Sequence, residues 1–381
     1  MDLSVVLSVV LVAYIAFLFG RHGTTLQHQR LGSTEGMATE DRKLQLGPDS
    51  KVTAAAMVYF NGGVRRVGKV DTGSLLFDRT KHRVAIVTDL DEKSRDPNKF
   101  LWRSYMKQGT LIKISQGAYA MEWDKEVRAL VSKTATSNRS MELSALVRYQ
   151  HWLLGMCDYT GLVFKIVDNG VFQRWAIADG NGDAAKPFKT EWATVKDDKI
   201  WVGSTGKPWT NKGGGIVHNR PLWVKIINAD GRIFNLYWGD IYLALRTATN
   251  STEPGYLWHE AIHWDPRSKR WIILPRKISN SPYWPDDDET RGTNLLIVAN
   301  EDFSRIDVKT VGPLEPEYGF TAVRKVPGTD GLYLALKVKE LAGPPAVTHT
   351  KMCMFDLDGK MYFDPPFLPV DNQKFEGLEF L

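Results

Sequence analysis

Cysteine is scarce in this chain, and so are runs of basic residues. Only two cysteines, Cys157 and Cys353, occur among 381 residues, so the fold does not depend on a dense disulfide framework. The two side chains could pair or remain buried thiols, and their spacing decides neither. No basic run accompanies the net charge of +5, which argues against a nucleic-acid-binding surface. A glycine-rich phosphate loop is also missing.

The composition that remains is typical of an all-β chain. Aromatic residues make up 11% of the sequence, with 13 Trp, and 32 Gly and 18 Pro supply turns. Short strand-like runs such as residues 84–88, 110–114 and 332–337 alternate with turn signals. Helical patterns are few, and residues 125–133 and 237–247 are the two candidates.

The N-terminus differs from this β-rich body. Residues 3–19 are almost wholly apolar, a length that suits a cleaved signal peptide or a signal anchor holding the chain in a membrane. No Lys or Arg precedes them, so the positive-inside rule gives no orientation. We therefore expect residues 1–22 to be a signal peptide or anchor, 23–50 a polar stem, and 51–381 the folded domain.

Two glycosylation sequons agree with a body on the luminal side. They are Asn138-Arg139-Ser140 and Asn250-Ser251-Thr252. We expect the body to lie in the lumen of the endoplasmic reticulum or Golgi, as part of a single-pass type II membrane protein, or to be secreted.

Five short segments resemble one another, each with an oxygen-bearing side chain at the start of an apolar-alternating strand. Aligned on that strand, they present Ser144, Glu191, Glu260, Thr321 and Glu376. The spacings between these positions are 47, 69, 61 and 55 residues, as in the blades of a β-propeller. We predict a five-bladed propeller in which residues 375–381 complete a blade begun by N-terminal sequence.

The first strand of each blade lines the central channel of a propeller. Three carboxylates and two hydroxyls would therefore converge on one axis, where the carboxylates repel one another unless a cation lies between them. Oxygen ligands of this kind suit Ca²⁺. The alternative is a set of unrelated surface carboxylates.

Two further groups of charged residues lie at predicted strand ends. Asp89 and Asp91 follow a strand and could point together into a funnel, although an Asp-x-Asp pair is often only a turn. Arg276 also lies at a strand end, and its guanidinium suits bidentate phosphate contacts. A surface salt bridge is the other interpretation of Arg276.

An ordered set of motifs makes the chain similar to a known family. They are Asp89-Leu-Asp-x-x-Ser-Arg95, Glu122-Trp-Asp-Lys125, Met141-Glu-Leu-Ser144, Phe188-Lys-x-Glu-Trp192, Gly255-Tyr-Leu-x-His-Glu260, Leu274-Pro-Arg276, Arg291-Gly-x-Asn-Leu-Leu296 and Glu376-Gly-Leu-Glu-Phe380. The set, spread over residues 81–381, resembles the calcium-activated nucleotidase (apyrase) family, which includes the vertebrate Golgi enzyme and salivary apyrases of bed-bug type.

This resemblance implies a five-bladed propeller with Ca²⁺ in its channel, bound by the same five positions that the repeats select. It also implies hydrolysis of nucleoside di- and triphosphates (UDP, GDP, ADP, ATP) to the monophosphate and inorganic phosphate. The family's acidic pair falls on Asp89 and Asp91, and its phosphate-side arginine on Arg276. Two positions depart from the family pattern: Thr321 stands where the vertebrate enzyme has Ser, and Ala145 stands where it has an acidic residue.

In the implied reaction, water attacks the terminal phosphorus in line, with Asp91 as the first choice to orient or deprotonate it and Asp89 as the second. Trp123, Trp192 and Trp264 are candidates for stacking on the base. The alternative is a non-catalytic, calcium-containing propeller that acts as a binding module. The sequence leaves open the preferred nucleotide and the formation of a homodimer.

Overall fold

The computed structural model describes residues 53–60, 63–71, 80–115, 117–211 and 215–381. The predicted segments 1–22 and 23–50 lie outside these residues, as does the apolar stretch 3–19. Among the described residues, no helix is long and apolar enough to cross a membrane.

The chain forms two compact units. One contains an antiparallel hairpin of β1 (Thr53–Phe60) and β2 (Gly63–Asp71). The other, built from Lys81–Ile112 and Gly117–Leu381, contains five antiparallel sheets of four strands each.

The strands of the larger unit are joined both by tight turns and by longer connections. In chain order they are β3 (Lys81–Thr88), β4 (Trp102–Ser115), β5 (Ala118–Ser132), β6 (Leu143–Tyr149), β7 (Trp152–Cys157), β8 (Leu162–Val167), β9 (Gly170–Ala176), β10 (Trp192–Lys196), β11 (Lys199–Gly203), β12 (Trp209–Thr210), β13 (Ile216–His218), β14 (Trp223–Ile227), β15 (Ile233–Tyr237), β16 (Tyr256–Asp265), β17 (Arg270–Ser279), β18 (Leu295–Asn300), β19 (Ile306–Thr310), β20 (Tyr318–Lys325), β21 (Leu332–Leu341), β22 (Val347–Asp356), β23 (Leu368–Asp371) and β24 (Phe375–Phe380). Two helices, α1 (Gly239–Ala248) and α2 (Pro285–Asp288), lie in connections between strands.

The five sheets are the blades of a propeller, as predicted. Four sheets follow chain order, namely β6-β7-β8-β9, β10-β11-β14-β15, β16-β17-β18-β19 and β20-β21-β22-β23, and the fifth has the order β24-β3-β4-β5. The innermost strands β6, β10, β16, β20 and β24 each contact the next around a closed ring. The C-terminal strand β24 pairs with β3, which confirms the predicted closure.

The hydrophobic core is divided among the five blade-to-blade interfaces. Each interface holds its own cluster of buried side chains, and the cluster between the blades that begin with β10 and β16 is rich in tryptophan. Trp192 and Trp264 belong to that cluster and are at most 2% exposed. Cys157 and Cys353 are both buried free thiols, so the alternative of a disulfide between them is wrong.

One helix prediction is wrong and the other is confirmed. Residues 125–133 lie mostly in β5, because this segment extends the long hairpin with β4 and pairing across that hairpin overrides its helical propensity. The segment 237–247 does contain a helix, α1.

Lys337 is a charged residue inside the core, and we expect its replacement to stabilise the fold. Its side chain is fully buried, and among the described residues its ammonium has no hydrogen-bond partner. It lies 4.8 Å from the ring of Phe320 and 4.9 Å from that of Phe367, and burial lowers its pKa to about 8. Because the folded pKa lies below the unfolded value, the penalty is full below about pH 8 and disappears as pH rises toward the unfolded pKa of about 10.4.

Lys337→Met should therefore raise the thermal midpoint at pH 7, by the equivalent of about 1–3 kcal/mol, and the gain should shrink by pH 10. Thermal unfolding followed by circular dichroism at both pH values measures it. The control is Lys199→Met, which removes an exposed ammonium and should change little. An unchanged or lower midpoint for Lys337→Met at pH 7 would contradict the expected penalty.

Candidate functional site

The five predicted metal ligands meet in the central channel. Their side chains line one narrow passage, and each residue is at most 4% exposed. They are Ser144, Glu191, Glu260, Thr321 and Glu376. Carboxylate oxygens of the three glutamates lie within 4.8 Å of one another.

A break in strand register positions four of these five side chains. In β16, His259 pairs with Pro275 and Ala261 with Leu274, so Glu260 is the extra, unpaired residue of a bulge. Ser144, Thr321 and Glu376 occupy the same position in β6, β20 and β24. A bulge re-aims one side chain without ending the strand. Glu191, the fifth, immediately precedes β10, and its N–H donates to the carbonyl of Gly203 at 2.8 Å.

The electrostatics of the passage favour a bound cation. Burial raises the pKa of all three glutamates, that of Glu191 to about 8, and the charge of Glu260 adds to the rise for Glu191 and Glu376. Two side chains offset part of the negative charge: Lys189 Nζ lies 2.6 Å from Glu191 Oε1, and Arg276 contacts the other two glutamates.

The donor set fits Ca²⁺. All five groups offer oxygen, which a hard cation such as Ca²⁺ prefers. The hydroxyl of Ser144 is buried, and among the described residues it has no hydrogen-bond partner. A bound cation would satisfy that oxygen and offset the repulsion between the three carboxylates.

Arg276 lies among the carboxylates. Its Nη1 donates to Glu260 Oε2 at 2.5 Å and to Glu376 Oε1 at 2.8 Å, and its Nη2 donates to Glu340 Oε2 at 2.9 Å. Gly319 of β20 makes room for it: a Cβ at position 319 would lie 2.4 Å from Arg276 Cγ. The guanidinium therefore reaches the channel from β17, the second strand of its blade.

Asp89 and Asp91 lie together at the mouth of the channel, in different environments. Lys374 Nζ contacts both carboxylates, at 3.0 and 2.8 Å. Burial alone would raise the pKa of Asp89, but Lys374 and the N–H of Asp91 hold it below its usual value. Burial and the Asp89 charge raise the pKa of Asp91, whose side chain is 50% exposed and whose backbone has φ 48°.

Several residues at the site were not predicted from the sequence. Most lie two positions before a predicted ligand, and they are Glu142, Lys189, Trp258, Gly319 and Lys374. Trp258 and Gly319 lie inside β16 and β20, whereas Glu142, Lys189 and Lys374 lie just before β6, β10 and β24. A search at this offset would have found them. Asp158, whose Oδ2 accepts a hydrogen bond from Lys189 Nζ at 2.6 Å, does not lie at this offset from any predicted ligand.

The structure also tests the tryptophans predicted to stack on a base. Trp192 and Trp264 are buried in the core and cannot contact a substrate. Trp123 packs beside the core cluster between the blades that contain β3 and β20, with Lys107 Nζ 5.4 Å from its ring. Trp258 is the tryptophan that reaches the carboxylates, because its Nε1 donates to Glu260 Oε1 at 2.9 Å.

Arg324 crosses the channel at the opposite end. It donates to the carbonyl of Ala193 on β10 at 2.9 Å, to that of Leu146 on β6, and to Glu379 Oε2 on β24 at 2.9 Å. Since Arg324 itself belongs to β20, these bonds join four of the five inner strands. They tie the inner strands together at the end of the channel away from Asp89 and Asp91.

Comparison with known proteins agrees with this geometry. The apyrase family model matches residues 90–381. Soluble calcium-activated nucleotidase 1 of Mus musculus is 37% identical over 303 residues, which cover 79% of this chain and 74% of that protein. Apyrase apy-1 of Caenorhabditis elegans is 35% identical, covering 82% and 87% of the two chains, and the apyrase of Cimex lectularius is 35% identical, covering 80% and 83%. The chain therefore belongs to the apyrase family of nucleotide-hydrolysing enzymes.

Proposed function

We propose that the protein hydrolyses nucleoside di- and triphosphates to the monophosphate and inorganic phosphate, and that it requires Ca²⁺ to do so. The observation that carries this proposal is the set of three buried glutamates and two hydroxyls in one channel, with Arg276 among them and an exposed carboxylate at the mouth. The name of the mouse relative, a calcium-activated nucleotidase, supports the same cation.

Bound at the five oxygen ligands, Ca²⁺ would supply Lewis-acid polarisation of the phosphate oxygens. The protein's own side chains would bind the phosphoryl group and orient the water. Arg276 would donate hydrogen bonds to the phosphoryl group, offsetting the negative charge that builds up as the bond to the leaving group breaks. Lys189 and Lys374 add positive charge on either side of the carboxylates.

Asp91 is the side chain best placed to orient the attacking water and accept its proton. Its carboxylate is half exposed in the cleft at the channel mouth, and its raised pKa brings it closer to neutral pH, where a general base is most effective. Asp89 is buried and held as an anion by Lys374. We assign Asp89 the role of positioning Lys374 and the Asp91 backbone.

A phosphate-release assay tests this function. We expect purified protein to release inorganic phosphate from UDP, GDP, ADP or ATP in Ca²⁺, to stop when a chelator is added, and to recover when Ca²⁺ is restored. The alternative, a non-catalytic propeller, predicts calcium binding by calorimetry with no phosphate release from any of the four nucleotides. That result would overturn the proposal.

We also propose that the body lies in the secretory lumen or outside the cell, with residues 3–19 as a signal peptide or membrane anchor. Both sequon asparagines, Asn138 and Asn250, are exposed, as attachment of a glycan requires. Glycosidase treatment of protein from animal cells should increase its gel mobility. An unglycosylated, cytosolic protein would contradict this location. A homodimer stays a prediction, which sedimentation velocity would test.

A further inference from the structure

Arg324 separates the five oxygen ligands from a second, larger cavity. It lines the narrow passage that holds the ligands, and it also lines a cavity of about 430 Å³ at the end of the channel away from Asp89 and Asp91. Among the described residues, no other lines both spaces. The passage itself has a volume of about 10 Å³, which is room for about one water molecule. An ion that moves from the ligands toward the larger cavity must therefore pass Arg324.

The guanidinium of Arg324 is held in place by several inner strands. Its Nη2 donates to the carbonyls of Leu146 on β6 and Ala193 on β10. Its Nη1 donates to the carbonyl of Val323 at 2.8 Å, and its Nε donates to Glu379 Oε2 on β24 at 2.9 Å. These bonds occupy four of the five N–H donors of a guanidinium, and the side chain is only 8% exposed. Arg324 is therefore a fixed positive charge across the channel.

The passage between the ligands and Arg324 offers a cation nothing to bind. Its lining includes the small residues Ala145, Ala193, Ala322 and Gly377. Apart from the five ligands, no described residue that lines it has an oxygen in its side chain. A cation that moved in this direction would lose its carboxylates and approach a positive charge in a buried space. An arginine placed in this way in a narrow pore is a barrier to cations.

The mouth of the channel has the opposite character. Six acidic and four basic side chains line the cleft there, among the described residues. Two of the acidic side chains, Asp91 and Glu340, are 50% and 41% exposed. A cleft with an excess of negative charge raises the local concentration of cations. The mouth therefore attracts the ion that the other end repels.

We infer that Arg324 closes the channel to cations at one end, so that Ca²⁺ reaches and leaves its ligands only through the mouth. This inference rests on the proposed function, because it takes the cation to be Ca²⁺. It also has a consequence for the substrate. A nucleotide whose phosphates lie at the mouth covers the exit and slows the release of the ion.

Arg324→Met should speed the release of Ca²⁺ at least about tenfold, because it removes a charge whose field can change ion rates by roughly 10- to 1,000-fold. Release is followed by stopped-flow mixing of calcium-loaded protein with a fluorescent chelator. Arg324→Lys keeps the charge and should release the ion at a rate much closer to that of the wild type. Both substitutions remove hydrogen bonds to the inner strands, so a purely structural role of Arg324 predicts equal rates for the two variants.

The matched control is Arg148→Met, which removes an exposed arginine from the wall of the same larger cavity and should leave the release rate unchanged. Thermal midpoints in chelator show whether each variant is folded, and Arg324→Gln replaces Arg324→Met, with the same expectation, if the latter does not fold. Release from Arg324→Met at the wild-type rate would overturn the barrier, and so would equal acceleration by Arg324→Met and Arg324→Lys.

A non-hydrolysable α,β-methylene analogue of UDP, at saturation, tests the single exit. It should slow release from the wild type but not from Arg324→Met, where the ion leaves past position 324. Equal slowing of both proteins would overturn the inference, and so would slowing of neither when calorimetry shows that the analogue binds. A wild type that binds no Ca²⁺ by calorimetry would overturn the proposed function together with the barrier, whereas binding with unaltered release from Arg324→Met would overturn the barrier alone.

Discussion

Glu260→Gln should raise the Ca²⁺ concentration needed for half-maximal phosphate release by at least about tenfold, equivalent to about 1.4 kcal/mol. The substitution removes one of three negative charges that face the proposed cation, while its amide oxygen can still accept the hydrogen bond from Trp258 Nε1. Glu191→Gln should act in the same direction, because Glu191 is equally buried.

The readout is a calcium titration of phosphate release, combined with a calcium titration of the thermal midpoint that does not depend on turnover. Glu317→Gln is the control, since Glu317 pairs with Lys339 and its side chain is 43% exposed. If Glu260→Gln and Glu191→Gln keep the calcium dependence of the wild type in both titrations, the channel glutamates do not bind the activating cation.

Chelation should also lower the thermal midpoint of the wild type. A ligand that binds only the folded state stabilises it by mass action, by about 4 kcal/mol when its concentration is a thousand times Kd. Lys189 and Arg276 offset part of the carboxylate charge, so we expect the chain without calcium to remain folded but less stable. Mg²⁺ should restore little, because it is smaller and demands near-octahedral geometry.

The convergence of five oxygen-bearing side chains could be predicted from the sequence because a propeller repeats. Equivalent positions in successive blades must converge on one axis, so Ser144, Glu191 and Glu260 could be assigned to the same place without knowing any contact. The pairing of the C-terminal strand β24 with β3 could be predicted from the same repeat. The bulges that aim the side chains could not be predicted, since an extra residue in one strand is defined only by its partner strand.

The contacts of Arg276 could not be predicted from the sequence for a different reason. The chain pattern indicated a guanidinium at a strand end, but Glu340 and Glu376 lie 64 and 100 residues away. Their meeting depends on how neighbouring blades pack and on the absence of a Cβ at Gly319. The error at residues 125–133 is similar, because pairing with β4 decided the outcome there.

Arg276→Lys should lower kcat by about a hundredfold or more, the usual cost of removing one preorganised donor that stabilises transition-state charge. The two terminal nitrogens of the guanidinium bond three carboxylates, and a lysine keeps the charge but cannot reproduce this planar arrangement of donors. Arg305→Lys, at an arginine whose side chain is 77% exposed, is the control and should retain wild-type turnover.

Gly319→Ala should produce the same defect with Arg276 still present. The new Cβ would lie 2.4 Å from Arg276 Cγ and 2.5 Å from its carbonyl oxygen, so the arginine must move away from the carboxylates. Because both changes then act on one side chain, adding Gly319→Ala to Arg276→Lys should cost far less than the product of the two separate losses. Thermal midpoints of all three variants show whether the fold is kept. If the double variant is folded and its loss in kcat equals the product of the two single losses, Gly319 does not act through Arg276.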